Sequence, residues 1–164
     1  MPDKCLVLLL DEVRAKTLRI VKSVPAEHTR WAPAGLQNTI LWHAGHAYVL
    51  VEWVSMKSLR RTPQIPDGWY EMFSWESHPA QIPADRFPEL SEVIRHLESQ
   101  HKRLRKLIGE LSEEQLSIQS ASNPKRSVRS AILHGLHDEA CHCGEMHLLS
   151  KIQLAASKRS SERT

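Results

Sequence analysis

The sequence predicts an all-α protein folded as a four-helix bundle. Three observations carry that expectation. Apolar residues recur at intervals of three and four along four long stretches, the period of a half-buried helix. Prolines and capping residues fall between those stretches, where helices stop and start. No stretch alternates apolar and polar residues as a half-buried strand does. A chain of 164 residues suits one domain with a real core.

Leu6, Leu10, Val13, Thr17, Ile20, Val21 and Val24 place the first helix over residues 4 to 24, ended by Pro25. A link with Trp31, Pro33 and Gly35 follows. Asn38 or Thr39 caps the second helix, which runs to about Arg60. That helix is apolar almost all round, with His46 on the face of Trp42, Leu50 and Trp53. A histidine buried there needs a partner.

Residues 61 to 88 hold Pro63, Pro66, Pro79, Pro83 and Pro88, which exclude a long helix. Trp69, Tyr70, Phe73 and Trp75 make the segment too apolar for a free linker. It either plugs one end of the core or forms a lid or binding loop. Leu90, Val93, Ile94, Leu97, Leu104, Leu107 and Ile108 mark the third helix, up to about Leu111, with His101 on the same stripe. Residues 112 to 116 read as a short helical turn. The fourth helix starts near Ser127 and runs to about Leu154. Residues 1–154 then form the domain, and 155–164 a basic, disordered tail.

Composition narrows the function. Hydrophobic residues at 41% and charged residues at 25% fit a soluble globular chain. The net charge of +3 is too small and scattered to point to nucleic acid. Three cysteines make no disulfide framework, which suggests a cytoplasmic protein. The apolar run Cys5 to Leu10 is cut by Asp11-Glu12 and is too short to span a membrane. It also lacks the cleavage site of a signal peptide.

The chemistry concentrates in residues 134 to 147 of the fourth helix, with four histidines, two cysteines and three carboxylates. Asp138 and His142 are one turn apart on an inward face, a spacing at which two side chains grip one ion. His137 lies roughly 100° from Asp138 and about 140° from His142, and should point away. His134 shares the inward side but sits roughly 12 Å along the axis from His142. Cys141 and Cys143 point roughly 200° apart and cannot share an ion. A pair needs a ligand from another helix, and His46 is the candidate. Two nitrogens and one carboxylate leave a coordination position open, as in catalytic sites. His43, His101 and Glu139 are candidate proton acceptors or supports for the ligands. Trp53, Met146 and parts of the 61–88 segment are candidate pocket walls.

The combination of Trp42-His43-Ala44-Gly45-His46 with Asp138-Glu139-x-x-His142-x-Gly144-Glu145, preceded by Trp31-Ala32-Pro33, resembles the DinB/YfiT-like superfamily of metal-dependent enzymes. The resemblance extends over nearly the whole chain. It implies an up-down-down-up bundle with a long link between helices two and three. It also implies zinc, nickel or a similar divalent ion held by one histidine of helix two and a pair on helix four. The usual pair is His-x-x-x-His followed by Arg-Gly-Gln. Here Asp138 stands at the first histidine, Cys143 at the arginine and Glu145 at the glutamine. A carboxylate at that first place also occurs in the mycothiol-dependent maleylpyruvate isomerase branch. The resemblance further implies a low-molecular-weight thiol as possible co-substrate, with a small-molecule substrate and a homodimer.

The resulting expectation is a mononuclear metal-dependent thiol transferase or hydrolase. Two alternatives stand beside it. One is a non-catalytic metal-binding or stress-related protein. The other is a di-iron carboxylate bundle, since Glu98-x-x-His101 and Glu139-x-x-His142 match its Glu-x-x-His signature, with Glu12 and Glu52 as further carboxylates.

Overall fold

The computed structural model describes residues 3–161. Its elements are α1 (Lys4–Ser23), α2 (Ile40–Ser58), α3 (Trp69–Phe73), α4 (Leu90–Glu110), α5 (Glu113–Ser117) and α6 (Val128–Ser161), with short 3-10 turns between them. No strand occurs among the described residues, only an isolated bridge between Gln119 and Ser127.

Local chemistry sets the starts of the helices. The Asp3 carboxylate accepts from the Leu6 amide, and the Thr39 hydroxyl from the Trp42 amide. Ser112 and Gln115 form a reciprocal capping box on α5, and Ser127 accepts from the Ser130 amide at the start of α6. Each such cap satisfies a donor that the helix leaves orphaned. The fourth helix continues to Ser161 and does not end near Leu154. Residues 155–161 contain no proline or glycine to stop it, and Lys158 suits a helix C-terminus. The last three residues of the expected tail, 162–164, lie outside the described residues.

Cross-helix contacts fix the topology. Arg14 meets Glu139, and Asp3 meets Arg129, so α1 and α6 run parallel. Lys22 meets Glu98, and Asp11 meets Arg105, so α1 and α4 are antiparallel. Tyr48 and Glu52 meet Gln100, and Glu52 meets Arg103, so α2 and α4 are parallel. His46 faces Asp138 while Val51 and Val54 face Gly135, so α2 and α6 are antiparallel. This is the up-down-down-up order, with the 61–88 segment carrying the chain between the two parallel helices α2 and α4. A Cβ on Gly135 would lie 2.6 Å from Val54 Cγ2, so the glycine permits the close approach of α6 to α2.

The core has two apolar halves. One gathers Trp42, Val49, Phe73, Leu97, Met146 and Leu149. The other gathers Leu6, Leu10, Leu104, Ile108, Ile132 and Leu136. A buried polar layer separates them and ties all four long helices together. Arg14 of α1 donates two bonds to Glu139 of α6, at 2.8 and 2.9 Å, and others to the Leu97 carbonyl and the Gln100 side chain of α4. Gln100 in turn donates to Glu52 of α2, which also accepts from Arg103 and the Gln64 amide. A buried charge is tolerable only when paired and hydrogen-bonded in this way.

The 61–88 segment plugs the core through Trp69, Met72 and Phe73, all buried. Trp75 remains 47% exposed and packs edge-on against Trp53 of α2.

Candidate metal centre between α2 and α6

Three ligand atoms converge where α2 and α6 face each other. Asp138 Oδ2 lies 3.4 Å from His46 Nε2 and 3.3 Å from His142 Nε2. Around a tetrahedral ion with bonds near 2.1 Å, neighbouring ligand atoms stand roughly 3.4 Å apart. The Asp138 oxygen is buried and has no hydrogen-bond partner. An orphaned buried carboxylate oxygen is costly unless something positive completes it. These residues therefore fit a divalent cation.

The other nitrogen of each imidazole is already committed. His46 Nδ1 lies 2.6 Å from the Phe73 carbonyl. That carbonyl can only accept, so Nδ1 carries the proton and Nε2 presents its lone pair. His142 Nδ1 lies 2.6 Å from Glu145 Oε2, which assigns the same tautomer by the same logic. Hydrogen bonds of this kind are how metal-binding histidines are oriented. Trp42 stacks on the His46 ring at 4.7 Å and presents an edge to His142. Its own indole N–H is held by the Met72 carbonyl and the Ser77 hydroxyl.

Electrostatics follow from this packing. Burial by itself would raise the Asp138 carboxyl, but when no cation is bound and the imidazoles carry a proton on Nε2, their attraction outweighs it and holds the group well below the usual carboxylate range. Burial by itself would lower His142, but Asp138 and Glu145 outweigh it and raise the imidazole above its ordinary value. His43 is pushed down to about 3, first by burial and then by the neighbouring His142 and His46. It is therefore neutral at physiological pH.

A second trio, His43, His142 and Glu145, also brings possible ligand atoms together. Its internal distances of 2.6, 2.8 and 3.2 Å are hydrogen-bond distances. Those atoms satisfy one another and leave no orphan, so the trio supports His142 and is not itself the cation site.

Other candidates fall elsewhere. His43 sits beside His142, its Nδ1 2.8 Å from His142 Nδ1. His101 does not approach the centre; it pairs with Asp11 at 2.7 Å on the α1–α4 side. Glu139 turns towards α1 and is consumed by Arg14. It follows Asp138 in sequence, and one residue of helix rotation sends it to a different neighbour. Met146 is wholly buried in the apolar core and is no pocket wall. His134 and His137 are exposed; His134 keeps the α2-facing side but lies at the rim of the groove, away from the three ligands. The carboxylates of the di-iron alternative do not converge. Glu12 and Glu98 form exposed pairs with Lys16 and Lys22, and Glu52 is bound by Arg103.

The sequence did not disclose the Phe73 carbonyl as a partner of His46. Gly45 holds the signal. A Cβ there would lie 2.4 Å from the Phe73 ring, so only glycine lets α3 come close enough to reach His46. Glu145 was visible as a departure from the family pattern, but its bond to His142 depends on side-chain direction.

Two clefts flank the ligands along the α2–α6 groove. One, of about 410 Å³, is bordered by Leu36, His43, Glu145, Leu148, Leu149 and Ile152. The other, of about 190 Å³, lies one helical turn beyond the ligands in the opposite direction, and Trp53 lines it.

Comparison with known proteins agrees with this architecture. A family model described as the DinB superfamily matches residues 9–146. The fold is similar to the crystal structure of a conserved protein from Enterococcus faecalis. The two share 16% sequence identity with a TM-score of 0.77, over 94% of this chain and 99% of that one. No curated protein matches the chain.

Proposed function

We propose that this chain, which belongs to the DinB superfamily, is a metal-dependent enzyme holding one zinc or nickel ion through His46, Asp138 and His142. The observation that carries the proposal is the buried, unpartnered Asp138 oxygen between two Nε2 atoms whose rings are fixed from behind. A divalent ion there would lower the pKa of a bound water or thiol towards neutrality.

The chain's own residues suit such chemistry. Phe73 and Glu145 hold the two imidazoles in place. His43 is too weak a base to take a proton near neutrality, and instead packs beside His142. Glu145 is 53% exposed and borders the larger cleft, so it is the carboxylate placed to accept a proton from an incoming nucleophile. That cleft has an apolar wall and room for a low-molecular-weight thiol. The reaction class is thiol transfer or hydrolysis of a small-molecule substrate. A cytoplasmic setting suits its free cysteines; no described helix is long and apolar enough to cross a membrane. A homodimer belongs to the proposal, since Leu133, Leu148 and Leu154 are exposed on α6. Light scattering at the mass of one chain would count against it.

The deciding experiment is metal titration of the parent beside His142→Ala and His137→Ala, with thermal melting of each. The His142 variant should lose most of its metal affinity and keep its fold, because the bundle rests on its apolar halves. The His137 variant should match the parent. Equal affinity in the His142 variant would place the ion elsewhere. Conjugation of thiols to electrophiles, with and without metal, then tests catalysis. Binding without metal-dependent turnover would favour a non-catalytic metal-binding protein.

A further inference from the structure

The smaller cleft has a composition of its own. Trp53 and Trp75 stand in its wall with ring centroids 5.1 Å apart and planes at 76°, and Leu50 and Val54 complete the apolar side. Arg126 and Asn123 border the polar side. No carboxylate lines the cleft, and no hydrogen bond or ion pair occupies the Arg126 guanidinium among the described residues. Several other arginines among the described residues are unpaired as well, but Arg126 is the one that borders this cleft. An unpaired guanidinium beside two aromatic rings is a ready partner for a planar anion.

Size and position restrict the ligand. An apolar cavity of roughly 150 Å³ takes up benzene, so about 190 Å³ admits a six-membered ring with a carboxylate and little more. Leu50 lies one turn beyond His46, and His134, on the cleft's rim, lies one turn before Asp138. The cleft therefore adjoins the ligands, offset by roughly 6 Å along each helix.

We propose that this cleft anchors the carboxylate end of a small substrate. Arg126 pairs with the carboxylate, Trp53 and Trp75 hold a flat apolar body, and the opposite end reaches the groove at Asp138. The substrate class is a small carboxylic acid with a ring-sized apolar body and its reactive group at the far end. As a substrate subsite the cleft rests on the metal-centred function proposed above, but its affinity for a carboxylate does not.

The test uses phenylacetate and its neutral counterpart phenylacetamide on the full chain, in chelator-treated and metal-supplemented forms. Calorimetry gives the affinities, and indole N–H shifts in NMR spectra locate the ligand. Phenylacetate should bind about tenfold or more tightly than the amide, since a charge-assisted bidentate pair is lost with the amide. It should shift the Trp53 and Trp75 signals. Arg126→Gln should abolish the preference for the acid while leaving the melting temperature near the parent's. Trp75→Ala should weaken acid and amide alike. Equal affinities for acid and amide, a preference that survives Arg126→Gln, or no binding at millimolar concentration would each overturn the proposal. Phenylacetate binding that persists in His142→Ala, where metal is lost, would separate the cleft from the metal centre. Failure of metal binding with the acid preference intact would sink the metal-centred function and leave the anion subsite standing.

Discussion

Replacing Glu139 by Gln separates the structural from the chemical use of the carboxylates on α6. In the structure both Arg14 and Glu139 side chains are 0% exposed and share two hydrogen bonds. The substitution keeps the shape and removes the charge, so Arg14 stays buried without its counter-ion. Breaking one side of a buried pair costs about 3–5 kcal/mol. Gln100 still links Arg14 to Glu52, whose carboxylate offers partial compensation, so the low end, about 3 kcal/mol, is expected. In a domain of this size each kcal/mol moves the melting midpoint by about 2–4 °C, which gives a fall of roughly 6–12 °C. Urea unfolding followed by circular dichroism, in the presence of chelator, measures the loss. Metal affinity of the folded variant should equal the parent's, because the Glu139 carboxylate is turned to Arg14. The double variant Arg14→Met, Glu139→Leu should regain part of the stability, since neither charge is then stranded. A stability within 1 kcal/mol of the parent combined with lost metal affinity would show that Glu139 belongs to the metal centre, and would refute the reasoning.

Further outcomes follow from the same contacts. Gly45→Ala should force Phe73 off its seat, costing about 1–3 kcal/mol as overpacking does. It should also weaken metal binding by freeing His46, and a variant with parental metal affinity would sever that link. Glu145→Gln should keep the hydrogen bond to His142 while losing the acid–base group, so turnover should fall with metal affinity little changed. In chelator-treated protein, His43 binds no proton until about pH 3, whereas the unfolded chain takes one up below about 6.5. Stability should therefore fall as pH drops from 6.5 to 4.5, by at most about 1.4 kcal/mol per unit from this group. His43→Gln should flatten that slope. His142 contributes with the opposite sign: its raised value makes its contribution complete below 6.5 and lost as pH rises through its folded pKa. Asp138 contributes above its unfolded value and is lost only in stronger acid. A pH profile identical for the parent and His43→Gln would contradict a neutral, buried His43.

Much of this protein was legible in its sequence because helices announce themselves locally. The apolar period, Thr39 as a cap, the stop at Pro25 and the one-turn spacing of Asp138 and His142 are properties of adjacent residues, and they held in the structure. The pairing of His46 with that couple was an expectation from the spacing and the resemblance, and the structure brings the three together. Tertiary packing alone decided what each neighbouring side chain would do. Asp138 and Glu139 are consecutive, yet one turns to the histidines of α2 and α6 with an oxygen that accepts no hydrogen bond, while the other faces α1 and is neutralised by Arg14. His101 shares the apolar stripe of α4 but meets Asp11, not the metal ligands. The fix on His46 comes from a backbone carbonyl, which has no signature in the sequence. The opening beside Trp53 and Trp75 exists only because an irregular segment folds back on α2. Period and spacing are set by the geometry of a single helix, whereas partners are set by which helix lies opposite, and that depends on the whole chain at once.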